Sequence, residues 1–371
     1  MSQKTLPWFR RHPGWTLFLF NLAIVLFLAI VAEIALRIAV NYNPGYYSSV
    51  EATDTELHYA YGTIKINRDG FPDADFDLSK PRRVGYFGDS VTYGVGAGYG
   101  YRVSEYLESA YPDFEHLNLG GIGLSVSEAD IWNSAKKAKR YGLTHAIYLF
   151  NLNDILPDAT FEPQKEPSRS QKARRFVMNY LDGLRGRSYL YTYLRTQAKT
   201  ALTRQGVGFH GYTAYELNPR ENAEVLRETA ARINRLGETL GALGVDFHIV
   251  ILPYEMQISA EAERTYASHG IRWEDGFIER GAQDVIEEFF DPNFPVWDAY
   301  FAFVPPEGIS TADTREGNGV GEFFVYDKGD TLDWNHPNRQ GHLKIAIYLA
   351  AQGILGDPAQ PVEPRESSEV P

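Results

Sequence analysis

RRVGYFGDSVTYG, residues 82–94, places a short apolar run directly before Gly-Asp-Ser. The run VGYF has the character of a buried strand, and it stops abruptly at a small hydroxyl flanked by a carboxylate and a glycine. Gly, Asp and Ser are common turn residues, so the tripeptide alone predicts only a turn. The rest of the chain decides whether this turn carries chemistry.

The pattern after Pro81 alternates between strands and helices. We predict strands at 83–87, 116–119, 145–150, 245–252 and near 295–302, and helices near 101–110, 127–141, 221–243, 283–290 and 343–352. Such alternation is typical of an α/β fold with a parallel sheet covered by helices on both faces. In these sheets the ligand site lies beyond the carboxyl ends of the strands. GDS at 88–90, NLGGIG at 118–123 and NLND at 151–154 all follow predicted strands.

Composition narrows the function. The 371 residues are 44% hydrophobic, which supplies a sizeable core, and the net charge of −12 argues against nucleic acid as the main partner. The absence of cysteine excludes disulfides, thiolate catalysis and zinc–thiolate sites. Asp327, Asp330 and Asp333 lack a matching histidine pair, so we predict no metal and no cofactor.

An apolar segment near the N-terminus indicates a membrane anchor. Residues 15–32 contain only two polar side chains, Thr16 and Asn21, and a run of about 20 apolar residues spans a bilayer. We therefore predict a transmembrane helix over 15–40 that contacts the lipid bilayer; a cleaved signal peptide and a buried helix are the alternatives.

Charges around this segment predict its orientation. Lys4, Arg10 and Arg11 precede it, so the positive-inside rule places the tail 1–14 in the cytoplasm and the large domain outside, in the periplasm or cell exterior. Glu33 and Arg37 are four residues apart and can pair on one helix face. We expect that pair to reach toward the outer interface; a partner helix is the alternative.

Four further regions complete the organisation. Residues 41–80 are a connector with short strands around a turn at Asn67–Gly70, and 81–356 form the main domain. An insertion at 155–216 holds ten Lys or Arg and two acidic residues between Lys165 and Arg204, with helical apolar spacing from Phe176 to Leu194. Its basic face is either simply solvated or a lid facing anionic headgroups or an acidic polymer. The Pro- and Glu-rich tail 357–371 is predicted to be disordered.

A histidine that could serve as a base, with a carboxylate three residues before it, occurs in two places in the sequence. A serine hydroxyl becomes a nucleophile only when a base takes its proton, and histidine suits that role near neutral pH. Asp333-Trp334-Asn335-His336 supplies a base and its orienting carboxylate, but Asp113-Phe114-Glu115-His116 repeats the D-x-x-H spacing. We favour Asp333 and His336, because they follow the last strand, whereas the other copy precedes a strand at the opposite end of the sheet.

Acyl transfer also needs donors for the developing oxyanion. The Ser90 backbone N–H, the Gly123 N–H and the Asn153 side-chain amide are candidates. A loop glycine and an Asx turn or helix cap are the alternatives for Gly123 and Asn153.

The ordered blocks GDSV (88–91), NLGGIG (118–123), NLND (151–154) and DWNHPN (333–338) resemble the SGNH (GDSL) hydrolase family. The resemblance covers roughly residues 81–355 and implies a flavodoxin-like three-layer α/β/α sandwich. It implies Ser90 as nucleophile, His336 as base and Asp333 as its orienting group, with the Ser90 N–H, Gly123 and Asn153 as oxyanion hole. Val91 and Asn151 depart from the usual family pattern. An α/β-hydrolase is disfavoured, because Thr92 stands where G-x-S-x-G needs glycine.

The resulting prediction is a membrane-anchored serine hydrolase acting on ester bonds, as an esterase or deacetylase of a cell-envelope glycan or lipid. An O-acyltransferase that acetylates an envelope polysaccharide is the first alternative, since the acceptor pocket decides between water and a sugar hydroxyl. A non-catalytic assembly subunit that retains the fold is the second. A membrane-protein partner remains open.

Overall fold

The computed structural model describes residues 11–39, 51–52, 55–59, 61–160, 184, 188–204, 213–305, 315–326 and 333–365. Most of the apolar pattern at 176–184, together with Asp327 and Asp330, lies outside these residues.

The helix α1, Pro13–Ala39, is long and apolar. None of its residues is buried, and most of its large apolar side chains are exposed. By length and composition it is the one helix in the described part of the chain that could cross a membrane.

A small antiparallel sheet forms the connector. It consists of β1 (Glu51–Ala52), β2 (Glu56–Tyr59) and β3 (Gly62–Lys65), in that order. The predicted turn at Asn67–Gly70 exists but does not join these strands, which corrects the sequence-based expectation. The Asn67 side chain accepts hydrogen bonds from the amides of Asp69 and Phe71, so it closes a separate Asx turn after the hairpin.

In the described part of the chain, five parallel strands form the central sheet. They are β4 (Arg82–Gly88), β5 (Phe114–Asn118), β6 (His145–Asn151), β7 (Asp246–Leu252) and β8 (Val296–Asp298). Their spatial order is β5-β4-β6-β7-β8, with every pair parallel. This is the 2-1-3-4-5 order of flavodoxin-like folds. It confirms the predicted fold class and places a switch point beside β4, where the chain order reverses.

Helices cover both faces of this sheet. The described helices after α1 are α2 (Ser90–Tyr93), α3 (Val103–Ala110), α4 (Glu128–Tyr141), α5 (Tyr189–Arg204), α6 (Thr213–Leu217), α7 (Ala223–Gly241), α8 (Glu255–Ile258), α9 (Ala260–Ser268), α10 (Gly281–Glu287) and α11 (Arg339–Ala351), not all of which contact the sheet. The helices α4, α7 and α10 pack on one face, and α3 and α11 pack on the other. The strands are therefore buried on both sides, which explains their nearly continuous apolar sequence.

Strand alternation divides the core in two. Along β6, Tyr148 and Phe150 belong to the α7 side, whereas Ile147 and Leu149 belong to the α11 side. The last strand is shorter than predicted: β8 ends at Asp298, whose side chain accepts a hydrogen bond from the Tyr300 amide at 2.8 Å and starts a 3-10 turn.

The structure corrects the prediction of a disordered tail for residues 357–365. Here the chain follows α3, with the Ala359 amide donating to the Ala110 carbonyl at 2.9 Å and Val362 packing against the core. The Arg365 guanidinium donates to the Glu105 carbonyl at 2.6 Å. Proline fixes the backbone in an extended form at little entropic cost, so a Pro-rich segment can be ordered by a few such contacts.

Candidate active site

The turn after β4 places Ser90 at the carboxyl edge of the sheet. Gly88 has a φ of +145°, and a Cβ there would lie 2.8 Å from the Leu149 carbonyl oxygen, so only glycine fits. The Asp89 carboxylate then accepts a hydrogen bond from the Val91 amide at 2.9 Å and caps the short helix α2. Ser90 is the first residue of that helix.

The structure brings Ser90, His336 and Asp333 into one hydrogen-bonded chain. The Ser90 Oγ lies 2.8 Å from His336 Nε2, and His336 Nδ1 lies 2.8 Å from Asp333 Oδ2. Ser90 and His336 are 246 residues apart in sequence. The arrangement is that of a nucleophile, a base and the group that orients the base.

Local hydrogen bonds hold the DWNH turn in place. Asp333 Oδ1 accepts from the amides of Asn335 and His336, both at 3.1 Å, while Oδ2 faces the imidazole. The Tyr266 hydroxyl donates to the Asp333 carbonyl at 2.8 Å. The Asn338 side chain then caps α11 by accepting from the amides of residues 340 and 341. The short D-x-x-H spacing is thus a tight turn in which one carboxylate serves both backbone and imidazole.

Charges around the imidazole favour its protonated form. Burial alone would lower the pKa of His336, but the Asp333 carboxylate, its hydrogen bond and the nearby Asp89 raise that pKa above its ordinary value. Burial raises the pKa of Asp89, against which His336 and the hydrogen bonds from Val91, Asn153 and Ser90 act. The site therefore stabilises an imidazolium, the species formed when histidine takes a serine proton.

Asp89 makes two side-chain contacts that sequence reasoning missed. Its Oδ2 lies 3.2 Å from the Ser90 Oγ, and its carboxylate also accepts a side-chain hydrogen bond from Asn153. The sequence does not signal the contact with Asn153, because that contact depends on β6 lying next to β4.

The candidate oxyanion donors lie on neighbouring segments at the same sheet edge. Residues 119–123 form a loop that we call the glycine loop. Its Gly121 amide donates to the Gly88 carbonyl at 3.2 Å, which fixes the loop beside the turn that carries Ser90. Gly123 has a φ of +72° and open space where a Cβ would be. Asn153 sits in a 3-10 turn directly after β6 and is half-buried, tied to Asp89.

Two further asparagines join these segments. The Asn118 Nδ2 donates to the Thr92 carbonyl at 2.6 Å, and its Oδ1 accepts from the Gly120 amide at 3.1 Å, so it ties the glycine loop to α2. The Asn151 Nδ2 lies 3.5 Å from the Asn335 carbonyl, linking the end of β6 to the DWNH turn. Asn151, where the sequence departs from the family pattern, thus contacts the segment that carries the base.

His116, from the other D-x-x-H copy, and His342, near the start of α11, are both buried away from the Ser90 hydroxyl. His116 lies within β5, paired with Val84, about 13 Å along the strand from Gly88. Its Nδ1 lies 2.7 Å from the Tyr86 hydroxyl, and burial lowers its pKa to about 3. His342 is fully buried and accepts from the Val103 amide at 3.3 Å, and burial lowers its pKa to about 3 as well. Neither is suited to act as a base at neutral pH.

A cavity of about 520 Å³ lies behind the glycine loop. Apolar side chains including Phe87, Leu119 and Ile131 line it, and Lys137 and Arg140 of α4 contribute positive charge. Its volume falls in the range of small-molecule pockets. Ser90 and His336 are not among its lining residues, so it shares the glycine loop with the candidate active site but is separate from the hydroxyl.

Several solved structures are similar to this chain. No protein-family model matches the chain, and the search of curated proteins returned no significant match. Among solved structures, the chain is similar to a lipolytic G-D-S-L family protein from Veillonella parvula DSM 2008, at 14% identity over 72% of this chain and 96% of that chain, with a TM-score of 0.35. It is similar to a GDSL-like lipase from Bacteroides thetaiotaomicron VPI-5482, at 10% identity over 74% and 89%, with a TM-score of 0.34. It is also similar to an acetylxylan esterase from Geobacillus stearothermophilus, at 15% identity over 77% and 98%, with a TM-score of 0.35. Two of these proteins belong to the group that the sequence blocks resemble. The fold and the candidate site of this chain are inferred from its own strand order and side-chain geometry, because likenesses at these TM-scores carry no argument.

Proposed function

We propose that this protein is a membrane-anchored serine ester hydrolase that uses Ser90, His336 and Asp333. The distances of 2.8 Å from Ser90 Oγ to His336 Nε2 and from His336 Nδ1 to Asp333 Oδ2 carry the proposal. A hydroxyl in this position has a base within reach and a carboxylate that stabilises the imidazolium, which together activate serine for attack on a carbonyl carbon.

In the first step Ser90 Oγ attacks the ester carbonyl carbon while its proton passes to His336 Nε2. The carbonyl oxygen becomes an oxyanion bonded to a tetrahedral carbon. When that intermediate collapses, the carbon–oxygen bond to the leaving alcohol breaks and the imidazolium returns the proton to the alcohol oxygen. The product is an acyl ester on Ser90. Water then attacks the acyl carbon with the same base, which releases the carboxylic acid and restores the serine.

We assign three hydrogen-bond donors to the oxyanion. These are the Ser90 amide at the start of α2, the Gly123 amide in the open glycine loop and the Asn153 Nδ2. An amide NH2 group has two N–H bonds, so Asn153 can bond Asp89 with one and the oxyanion with the other. Pre-oriented donors of this kind stabilise charge that appears only in the transition state.

The substrate is assigned to the cell envelope. The helix α1 is long and apolar enough for a bilayer, and by the positive-inside rule the basic residues that precede it favour an outward-facing domain. An anchored esterase on that side meets acyl esters of lipids and of envelope glycans, including acetyl esters. We therefore propose an esterase or deacetylase of one of these two substrate groups.

The test uses the full chain in detergent with a fluorophosphonate probe. Wild type is expected to gain the mass of one phosphonyl group on Ser90, and Ser90→Ala is expected to gain none. Ser125→Ala is the matched control, because that serine lines the separate cavity, and it should label as wild type does. Equal labelling of Ser90→Ala and wild type contradicts the mechanism. Turnover of an acetyl ester only when a glycan acceptor is added assigns transfer instead of hydrolysis.

A further inference from the structure

The end of the apolar helix α1 is bonded to the start of α5, within the basic insertion. Glu33 accepts hydrogen bonds from the Ser188 hydroxyl at 2.9 Å, the Tyr189 amide at 3.0 Å and the Leu190 amide at 2.8 Å. Its neighbour Arg37 donates to the same carboxylate at 2.8 Å. A carboxylate at a helix N-terminus satisfies amides that have no partner within the helix. Of the two sequence-based readings of Glu33, the partner helix is therefore correct.

A stripe of α1 residues surrounds this contact. Ala29, Ala32, Glu33 and Leu36 are half-buried, whereas the other described residues in the second half of α1 are exposed. Their spacing of three and four places them on one face. Small side chains let two helix backbones approach closely in a membrane. On the partner helix Thr192 is 0% exposed. Because Ala29 and Ala32 belong to the apolar segment, α5 packs at the depth of the outer part of that segment.

The first turns of α5 have the composition of a membrane interface. Tyrosines occupy positions 189, 191 and 193, and Leu194 is 57% exposed. Tyrosine is enriched where hydrocarbon meets headgroups, because one end of its side chain is apolar and the other is polar. The later turns contain Lys and Arg at 195, 199 and 204, and residues 189–204 include no acidic side chain. Positive charge next to an apolar surface favours anionic lipid headgroups.

We propose that α5 is a membrane-interface helix, docked on α1 by Glu33, whose exposed Tyr193 and Leu194 insert into the outer leaflet. The proposal rests on the membrane anchoring proposed above. The occupant of this surface is lipid, because the surface continues from a helix whose apolar length no described part of the protein buries. The insertion's last described helix, α6, packs on the 3-10 turn that carries Asn153. The helices α5 and α6 of the insertion therefore lie in two places, α5 against α1 and α6 beside the candidate active site.

The absence of native cysteine makes the experiment direct. Single cysteines at Leu194, at Leu22 in α1 and at Ile347 on α11 are labelled with a nitroxide in the full chain. The chain is placed in nanodiscs of phosphatidylcholine and phosphatidylglycerol. Collision rates with oxygen and with a water-soluble nickel chelate report depth in the bilayer. Leu22 and Leu194 are expected to favour oxygen several-fold over Ile347, which is exposed on the main domain.

The outcomes separate this proposal from the anchor. If the label at Leu22 is in lipid and the label at Leu194 is as accessible to nickel as that at Ile347, the interface helix is wrong while the anchor holds. If the label at Leu22 is itself in water, the anchor is wrong and the interface helix is overturned with it. Fluorophosphonate labelling of each variant confirms that the main domain is folded.

The docking contact has its own matched pair of variants. Ala32→Leu adds bulk on the stripe that faces α5, and Ala35→Leu makes the same change on an exposed part of α1. We expect Ala32→Leu to shift the label at Leu194 toward greater nickel access, with Ala35→Leu unchanged. The same depth of that label in both variants, equal to that in the parent, overturns the assigned docking.

Discussion

Replacing Asp333 with asparagine tests the candidate triad at its most specific point. In the structure Asp333 Oδ1 accepts two backbone N–H bonds, from residues 335 and 336, and Oδ2 faces His336 Nδ1. The side-chain oxygen of an asparagine would keep the two N–H bonds, which leaves its NH2 group facing Nδ1. Nδ1 must then accept, so the imidazole proton moves to Nε2 and the nitrogen facing Ser90 can no longer take a proton.

The size of the effect follows from these contacts. Turning the amide to restore the correct tautomer would break both backbone hydrogen bonds, at a cost of about 2–3 kcal/mol. Loss of the charged hydrogen bond to the imidazolium adds about 1.5–3 kcal/mol. At 1.36 kcal/mol for each tenfold change in rate, the variant should lose about 10³- to 10⁴-fold in kcat/KM. The same change in a serine protease triad costs about 10⁴-fold in kcat.

The assay is hydrolysis of p-nitrophenyl acetate by the full chain in detergent, with the rate of fluorophosphonate labelling as a second readout. Asp113→Asn is the matched control, because it makes the same change in the other D-x-x-H copy and should leave the rate unchanged. Thermal unfolding of Asp333→Asn should stay close to wild type, since the backbone hydrogen bonds are retained. Activity of Asp333→Asn within tenfold of wild type, or a large loss in Asp113→Asn, would refute the reasoning.

Three further outcomes follow from the geometry. The pKa of His336 is raised, and only the neutral imidazole accepts a proton. We therefore expect kcat/KM to fall as pH drops through an apparent pKa above 6.5. A pH–rate profile with a midpoint below 6.5 contradicts this. Asn153→Ala should lower kcat by about 10²-fold with little change in KM, as loss of one oxyanion donor does; steady-state kinetics showing a change in KM alone would remove that role. Gly88→Ala should destabilise the fold by about 3 kcal/mol, because Gly88 has a positive φ and the new Cβ would contact the Leu149 carbonyl. Gly241→Ala is the control, because no atom lies within 4 Å of its new Cβ. Equal melting temperatures of the two variants would contradict the strained turn.

Long-range pairing explains where sequence reasoning was incomplete. The Asx turn at Asn67 follows local chemistry. Which residues join β2 to β3 depends on strand register instead. The prediction therefore placed the turn between these strands a few residues too late. Order in the 357–365 tail depends on the surface of α3, about 250 residues earlier in the chain. The contact between Glu33 and α5 likewise joins residues more than 150 positions apart. A local pattern does not determine such contacts.

What the sequence determined by itself is the alternation of strands and helices, the apolar length of α1 and the position of each polar block at the end of a strand. Those features depend on side-chain periodicity and turn chemistry, which act over a few residues. The order of the predicted strands favoured Asp333 and His336 over the other D-x-x-H copy, but only the tertiary structure places an imidazole beside the Ser90 hydroxyl, because local spacing is the same in both copies. His336 meets Ser90 because strand order brings the ends of β4 and β6 and the turn before α11 to one edge, whereas His116 is buried within β5.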